Sequence, residues 1–489
     1  MTSWLERALA LCAVAAAMVF IAVGIARPVW LDEANSVLIA QHSFAGIVDA
    51  LSRDNNFPLY YFLLSVWMRV FGDSEIALRA LSAVFYLGGC AAVYALGRRL
   101  AGQSRAGWYA ALFYEASALA IRQAQNVRMY SLLGMLSGLS AWCWLRVFRD
   151  RDRSRAAWAC LLAVDTLGML THAWFVFVLA GQFAATVIFE RRQIGRFVLA
   201  AAAPAALFGV LWGPVIRGQL HNGATAWMPH FQPGFVLIAA SEFYGPLATL
   251  VLIALAAAAG NKWRSTSPAA MMFAASAALP LAISFVKPIY WPGRYLIVAL
   301  PPLAAMLGAV LASARLRAPV AAVGILLLAF QVQAQIAARD QMPDARLPSG
   351  QSDRTTAQFL LARAQTGDAV VFTSLTRAAA DYYFQRAGAA ERFREFSFPA
   401  DTATHMGWMD PAVTDAHRAA LEAEAASLIA QLRAPVAAGR SVWVYDGYAA
   451  DVNAILIRHL DEAFGLHQIH VLEGPYHKRI LEYRAKARE

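Results

Sequence analysis

Ala8-Leu9-Ala10-Leu11-Cys12-Ala13-Val14-Ala15-Ala16-Ala17-Met18-Val19-Phe20-Ile21-Ala22-Val23-Gly24-Ile25-Ala26 runs uncharged for the length of a membrane span and passes at once into Arg27-Pro28-Val29-Trp30-Leu31-Asp32-Glu33. The run is too long for the apolar core of a typical signal peptide, and no convincing Ala-x-Ala cleavage signal stands between it and the acidic pair. It therefore reads as a retained transmembrane helix. An ionised carboxylate this close to hydrocarbon is costly unless something pairs it or uses it, which makes Asp32 and Glu33 functional candidates from the outset.

Composition extends the membrane reading to the whole chain. Of 489 residues, 59% are hydrophobic and 15% charged, with a mean hydropathy of +0.47, far too apolar for an ordinary soluble enzyme. The net charge of +10 is spread in short clusters between apolar segments instead of one aromatic-interleaved patch, so it speaks for membrane topology and against nucleic acid. Cys12, Cys90, Cys143 and Cys160 lie within or beside apolar segments and lack Cys-x-x-Cys spacing. Neither a disulfide framework nor a zinc site is indicated.

Segments of roughly twenty apolar residues, the length that crosses about 30 Å of hydrocarbon, are expected at 8–26, 77–97, 106–121, 129–147, 156–171, 173–189, 197–216, 234–259, 268–286, 295–312 and 319–336. Basic clusters at Arg7, at Arg98-Arg99 with Arg105, through 146–155, at Arg191-Arg192 with Arg196, at Lys262 with Arg264 and at Arg315 with Arg317 fall on alternate connections. Those connections are expected to be cytoplasmic. The N-terminus is then inside, and Asp32-Glu33, 122–128, Thr171-His172, 217–232, 287–294 and everything after about Ala338 share the extracytoplasmic side.

The first outer loop is long and half apolar. Its segments 33–51 and 58–71 carry apolar residues at helical spacing and read as interfacial helices that either floor a lipid-facing cavity or cap the bundle. After a linker with Pro343, Pro348 and Gly350, strands are expected at 369–374 and 441–445 and helices at 376–386, 412–433 and 449–464, with Gly474-Pro475 between two final strand-like runs. The expected fold is thus an α-helical polytopic membrane domain over 1–340 and a small extracytoplasmic α/β domain over 341–489. No Gly-x-Gly-x-x-Gly or phosphate-loop motif is present.

Trp30-Leu31-Asp32-Glu33 after the first span, Asn56-Phe57-Pro58-Leu59-Tyr60-Tyr61, and Phe71-Gly72-Asp73-Ser74-Glu75-Ile76-Ala77-Leu78-Arg79 together resemble the protein O-mannosyltransferase superfamily of GT-C glycosyltransferases. That superfamily includes the bacterial aminoarabinose and galacturonic acid transferases of the outer membrane. Arg128-Met129-Tyr130-Ser131 and Pro292-Gly293-Arg294-Tyr295-Leu296 also look like that group, and the resemblance spans roughly residues 1–340. It implies a GT-C fold, a bacterial inner-membrane location with the C-terminal domain periplasmic, and transfer of a sugar from a polyprenyl-phosphate donor to a hydroxyl-bearing acceptor of the cell envelope, with inversion.

The residue types suit such a reaction. A hydroxyl nucleophile needs a base within hydrogen-bond reach, and a partly desolvated carboxylate at the membrane edge is a stronger base than one in water. Asp32 is the expected base. Glu33 has three readings: the base itself, a group that holds the acceptor hydroxyl, or an ion-pair partner of Arg27. The plain alternative for both is the acidic first turn of an interfacial helix.

A phosphate leaving group needs charge-assisted donors. Arg128, Lys287 and Arg294 stand on the expected outer side, against the inward bias of basic residues, so donor-phosphate contact is expected from Arg294, Tyr295, Lys287, Arg128 and Tyr130. Weaker substrate candidates are Tyr60, Tyr61, Arg79 and His172. For these the bland readings are an interfacial aromatic belt for the tyrosines, an i,i+4 pair of Arg79 with Glu75, and a structural histidine. Asp165, inside a span, is expected to pair across helices.

Asn56-Phe57-Pro58-Leu59 stands where protein mannosyltransferases typically have His-Pro-Pro-Leu, and the MIR-type insertion is absent, so a protein acceptor is in doubt. The outer loops contain no Asp-x-Asp motif, and no required cofactor or metal is expected. The competing classes are a transporter or flippase of lipid-linked sugars, which calls for midplane charges and internal repeats, and a non-enzymatic envelope scaffold.

Overall fold

A computed structural model describes residues 2–22, 24–219, 228, 231–245, 263–313, 353–400, 411–471 and 478–486. The chain divides into two compact units, one of 1–26, 44–221 and 228–337, the other of 27–43, 222–227 and 338–489.

The first unit is helical. Its elements are α1 Thr2–Ala22, α3 Phe44–Arg53, α4 Pro58–Phe71, α5 Glu75–Ala101, α6 Ser104–Glu115, α7 Ala118–Ala124, α8 Tyr130–Trp144, α9 Arg155–Met169, α10 Phe175–Phe189, α11 Ile194–Gln219, α12 Gly234–Tyr244, α13 Trp263–Ser284 and α14 Leu300–Ser313. Every expected span up to 295–312 holds a helix. The expected span at 319–336, the second half of 234–259, the linker near Pro343 and Gly474-Pro475 lie outside the described residues.

Four stretches, Glu75–Ala101, Tyr130–Arg149, Arg191–Gln219 and Thr266–Ser284, are long and apolar enough to cross a membrane. Leu199, Val210 and Leu237 are 74%, 76% and 73% exposed on the outside of this unit. Side chains of this kind in such number mark a lipid-facing surface. The protein is a multi-pass membrane protein.

Local sequence places the helix ends. Ser74 caps α5 by accepting the Ala77 N–H at 3.2 Å, and Pro58 opens α4, where its missing N–H costs nothing. Inside the bundle small residues let helices close up: a Cβ on Gly97 of α5 would lie 2.7 Å from that of Ala110 in α6, and one on Gly308 of α14 would lie 2.5 Å from the Ala110 nitrogen. Asp165 of α9 accepts from Ser140 of α8 at 2.5 Å, and Gln182 of α10 donates to the same hydroxyl at 2.6 Å. The expected cross-helix partner is therefore a hydroxyl held by an amide.

The second unit is α/β. A five-stranded sheet runs in the order β2-β1-β3-β5-β4, from β1 Ala369–Thr373, β2 Arg394–Phe398, β3 Val442–Asp446, β4 Gly465–Val471 and β5 Arg479–Arg484. β2, β1 and β3 are parallel, while β5 pairs antiparallel with β3 and β4. Helices α15 Asp353–Arg363, α16 Arg377–Arg386, α17 Pro411–Ala437 and α18 Ala450–Ala463 accompany the sheet. The core gathers Val371, Leu428, Leu432, Val444, Leu456 and Leu481.

The first outer loop departs from expectation. Segment 33–51 is two helices, α2 Leu31–Gln41 and α3, broken at His42 and Ser43 where the apolar pattern lapses. The break also separates the units: α2 folds with the C-terminal residues, α3 with the bundle.

Candidate active site

In the helical unit the site grows from one turn. Gly293 takes φ of +84°, which a side chain would resist, and a Cβ there would lie 2.2 Å from Nη1 of Arg122. Its N–H donates to Oε1 of Glu242 at 2.7 Å, and its carbonyl accepts from Nε2 of Gln123 at 2.6 Å. Tyr290 also donates its hydroxyl to Oε1 of Glu242. Side chains from α7 and α12 thus grip both polar groups of the residue that precedes Arg294. Arg294 thus follows a residue whose backbone is fixed through both of its polar groups.

A second set of contacts gathers the aromatic candidates. The ring of His172 lies 5.7 Å from Tyr130 and 5.5 Å from Tyr295, whose own rings are 5.9 Å apart. Trp174 stacks on Tyr295 at 5.0 Å with ring planes 16° apart. His172 sits in the short connection between α9 and α10, where its Nδ1 accepts the Trp174 N–H at 3.1 Å. Burial, then the charges of Arg128 and Arg294, push its pKa down to about 3. Burial and the neighbouring guanidinium groups thus favour the neutral imidazole.

Arg128 reaches the hydroxyl of Tyr61 at 3.4 Å and Oδ1 of Asn56 at 3.3 Å, on the loop that opens α4. Near Arg294 stands Arg122, whose proton is loosened by burial and by Arg294 and held by Glu242. The charges of Arg128 and Arg294 thus both act on His172 among its aromatic neighbours, while Arg122 feels Glu242 and Arg294.

The other candidates go to different places. Tyr60 and Tyr61 are fully buried, not belted at an interface; Tyr60 lies 3.4 Å from the Ser82 hydroxyl. Buried tyrosines need such partners for their hydroxyls. Arg79 is fully buried and donates to the Ile25 carbonyl at 3.0 Å, tying down the exit from α1. Lys287 lies exposed on the turn after α13, and no described contact draws it to the cluster.

Asp32 and Glu33 belong to the second unit, in the first turn of α2. Glu33 is 1% exposed and turns back to accept the Trp30 N–H at 3.4 Å, so it caps its own helix. Asp32 is half-buried, and its carbonyl accepts from the Ser36 hydroxyl at 2.8 Å. The two residues thus differ in burial, and the described cap falls to Glu33.

Arg122, Gln123, Glu242, Tyr290 and Trp174 were not among the expected site residues. Glu242 had a signal: an ionisable residue inside an apolar span, the pattern that singled out Asp165. Among the described residues no group of three or more His, Cys, Asp or Glu side chains is arranged to hold a metal ion.

The chain has a GT-C fold. It is similar over nearly its whole length to ArnT from Cupriavidus metallidurans: the apo structure matches with a TM-score of 0.54 and 15% identity, covering 99% of this chain and 98% of that one. ArnT bound to undecaprenyl phosphate matches with a TM-score of 0.54 and 14% identity, covering 100% and 99%. An oligosaccharyltransferase, AglB from Archaeoglobus fulgidus in complex with an inhibitory peptide and a dolichol-phosphate, matches at a TM-score of 0.49 and 11% identity over 97% and 74%, too remote to carry any inference. Residues 55–213 match the family model for dolichyl-phosphate-mannose-protein mannosyltransferase. No curated protein sequence matches the chain.

Proposed function

We propose that this protein is a membrane glycosyltransferase that moves a sugar from a polyprenyl-phosphate carrier to an acceptor hydroxyl of the cell envelope, on the periplasmic face of a bacterial inner membrane. The observation that carries the reading is the meeting of the Tyr130, His172 and Tyr295 rings where the charges of Arg128 and Arg294 act on His172. Such a set suits a phosphate attached to an apolar chain: guanidinium groups take the oxygens, and the rings exclude water and strengthen those bonds. The fold shared with ArnT, which has been crystallised with undecaprenyl phosphate, supports the same ligand class.

The reaction is a single displacement. The acceptor oxygen attacks the anomeric carbon, the bond from that carbon to the phosphate oxygen breaks, and its electron pair leaves with polyprenyl phosphate. The arginines offset the charge that develops on the phosphate. The hydroxyl proton passes to a carboxylate, and inversion at the anomeric carbon follows from attack opposite the leaving group. Asp32 is that base, an assignment carried by the sequence resemblance and sharpened by the capping role of Glu33. The reading requires no metal.

Purified full-length protein given a polyprenyl-phosphate sugar and an envelope-lipid extract is expected to release polyprenyl phosphate and glycosylate the acceptor. Asp32→Asn should abolish transfer in a folded protein. A nearly wild-type rate in that variant removes Asp32 from the chemistry, and translocation of the donor without bond cleavage makes the protein a transporter.

A further inference from the structure

Helix α2 is far in sequence from the domain it folds with. Val29, one turn before Asp32, is fully buried and donates its backbone N–H to the hydroxyl of Tyr383 in α16 at 2.7 Å, across 354 residues of sequence. A buried N–H left without an acceptor is costly, and Pro28 beside it has no donor to substitute, so this bond locates the start of the helix. Leu31, Ala34, Val37, Ile39 and Ala40 bury further faces of α2.

The acceptor stands on a firm base. Tyr383 is 8% exposed and meets the ring of Tyr382 edge-on at 4.9 Å. Helix α16 leaves the sheet directly after β1, where the Thr376 hydroxyl donates to the carbonyls of Thr373 at 2.9 Å and Tyr445 at 3.2 Å. Those carbonyls belong to the ends of two paired parallel strands. Thr376 thus ties the start of the helix that carries Tyr383 to the ends of β1 and β3.

We infer that the α/β unit holds the acid-bearing helix in its working position and that Tyr383 is the positioning residue through which it does so, an inference that rests on the proposed role of Asp32. Only Trp30 and Leu31 separate the anchored amide from Asp32, and capping by Glu33 makes the intervening turn stiff. A base misplaced by about 1 Å loses on the order of a hundredfold in rate. Loss of the single hydroxyl, with the packing of α2 left in place, is expected to cost less.

The test uses full-length protein in lipid nanodiscs. Tyr383→Phe is expected to lower kcat about tenfold with donor KM unchanged, and to speed amide exchange about tenfold over residues 29–41 while β1 and β3 stay protected. Val29→Pro removes the same bond from the other end, without altering α16 or the sheet, and should reproduce both effects. On the Asp32→Asn background neither change should lower the residual rate further, since a residue acting through Asp32 has nothing left to position. Wild-type exchange and wild-type kcat in both single variants overturn the inference, as does a loss that multiplies that of Asp32→Asn. Wild-type turnover of Asp32→Asn overturns the base assignment instead, a result independent of the exchange measurement.

Discussion

Lys478 in the α/β unit and Arg128 in the helical unit are both buried cations, 6% and 8% exposed, yet they keep different company. The ammonium of Lys478 lies 2.5 Å from the Asp353 carboxylate, which also accepts the Tyr445 hydroxyl at 2.6 Å. Its neighbour Arg479 donates to Asp446 at 2.6 Å, and Asn453 donates to the same carboxylate at 2.6 Å. Burial opposes the charge on Lys478, but Asp353, with Tyr445 and Tyr448, outweighs it and holds the pKa well above the usual range. Arg128 reaches the neutral Tyr61 hydroxyl at 3.4 Å and the Asn56 side-chain carbonyl at 3.3 Å, and its charge acts on His172 together with that of Arg294. Matched charges at short range serve the fold. In the proposed function, Arg128 and Arg294 serve a phosphate that supplies the opposite sign.

The largest effect expected from this difference is at Lys478. Lys478→Ala leaves the Asp353 carboxylate buried beside Tyr445 without its counter-charge, and such a break costs about 3–5 kcal/mol. Thermal unfolding followed by tryptophan fluorescence and limited proteolysis should show the α/β unit melting early. Lys478→Met combined with Asp353→Asn removes both charges and should recover most of that stability. If the single variant is stable but inactive, Lys478 is a site residue and the contrast with Arg128 fails.

Arg294 tests the other side. Arg294→Ala should leave unfolding unchanged within about 1 kcal/mol and lower turnover by about 10²- to 10³-fold, in line with removal of a donor aimed at developing charge. Arg294→Lys should recover only part, because an ammonium lacks the guanidinium fork. Binding of polyprenyl phosphate, measured by calorimetry in nanodiscs, should weaken in parallel. Unchanged binding together with unchanged turnover makes Arg294 a structural arginine like Arg79.

Much of the helical unit was legible because each span is a run of apolar residues, and a charge in such a run, as at Asp165, stands out. Arg128-Tyr130 and Arg294-Tyr295 were legible because they break the inward bias of basic residues. Their meeting with His172 was not, since ring contacts between α8, the connection before α10 and the turn before α14 depend on packing that no local pattern encodes. Gln123 acts through a backbone carbonyl and carries no charge to betray it. Strand β2 was missed for a different reason: it is an edge strand whose residues Arg394, Glu395 and Ser397 are polar, so alternation is weak. Helix α2 read as interfacial because its apolar residues are helically spaced, and spacing cannot say which partner buries them.

The smallest effect expected lies in the α/β unit, where one pairing is less complete than that of Lys478. Arg377 serves two acids at once, Asp381 at 3.1 Å and Glu395 at 3.2 Å. Burial, and then the charge of Asp381, raise the pKa of Glu395 to about 7 from an ordinary 4.5. Burial likewise raises Asp381, against the pull of Arg377. The native state therefore binds protons more tightly than the unfolded chain between those values, and linkage makes stability fall as pH rises through that window. The favourable contribution is fully present below about pH 4.5 and is lost above about 7. Unfolding of the α/β unit followed between pH 5 and 8 should show a decline on the order of 1 kcal/mol, and Glu395→Gln, neutral throughout, should flatten it. A slope that persists in Glu395→Gln assigns the titration elsewhere. A slope of opposite sign in the native protein means that Arg377 holds both carboxylates ionised, as Lys478 is held by Asp353.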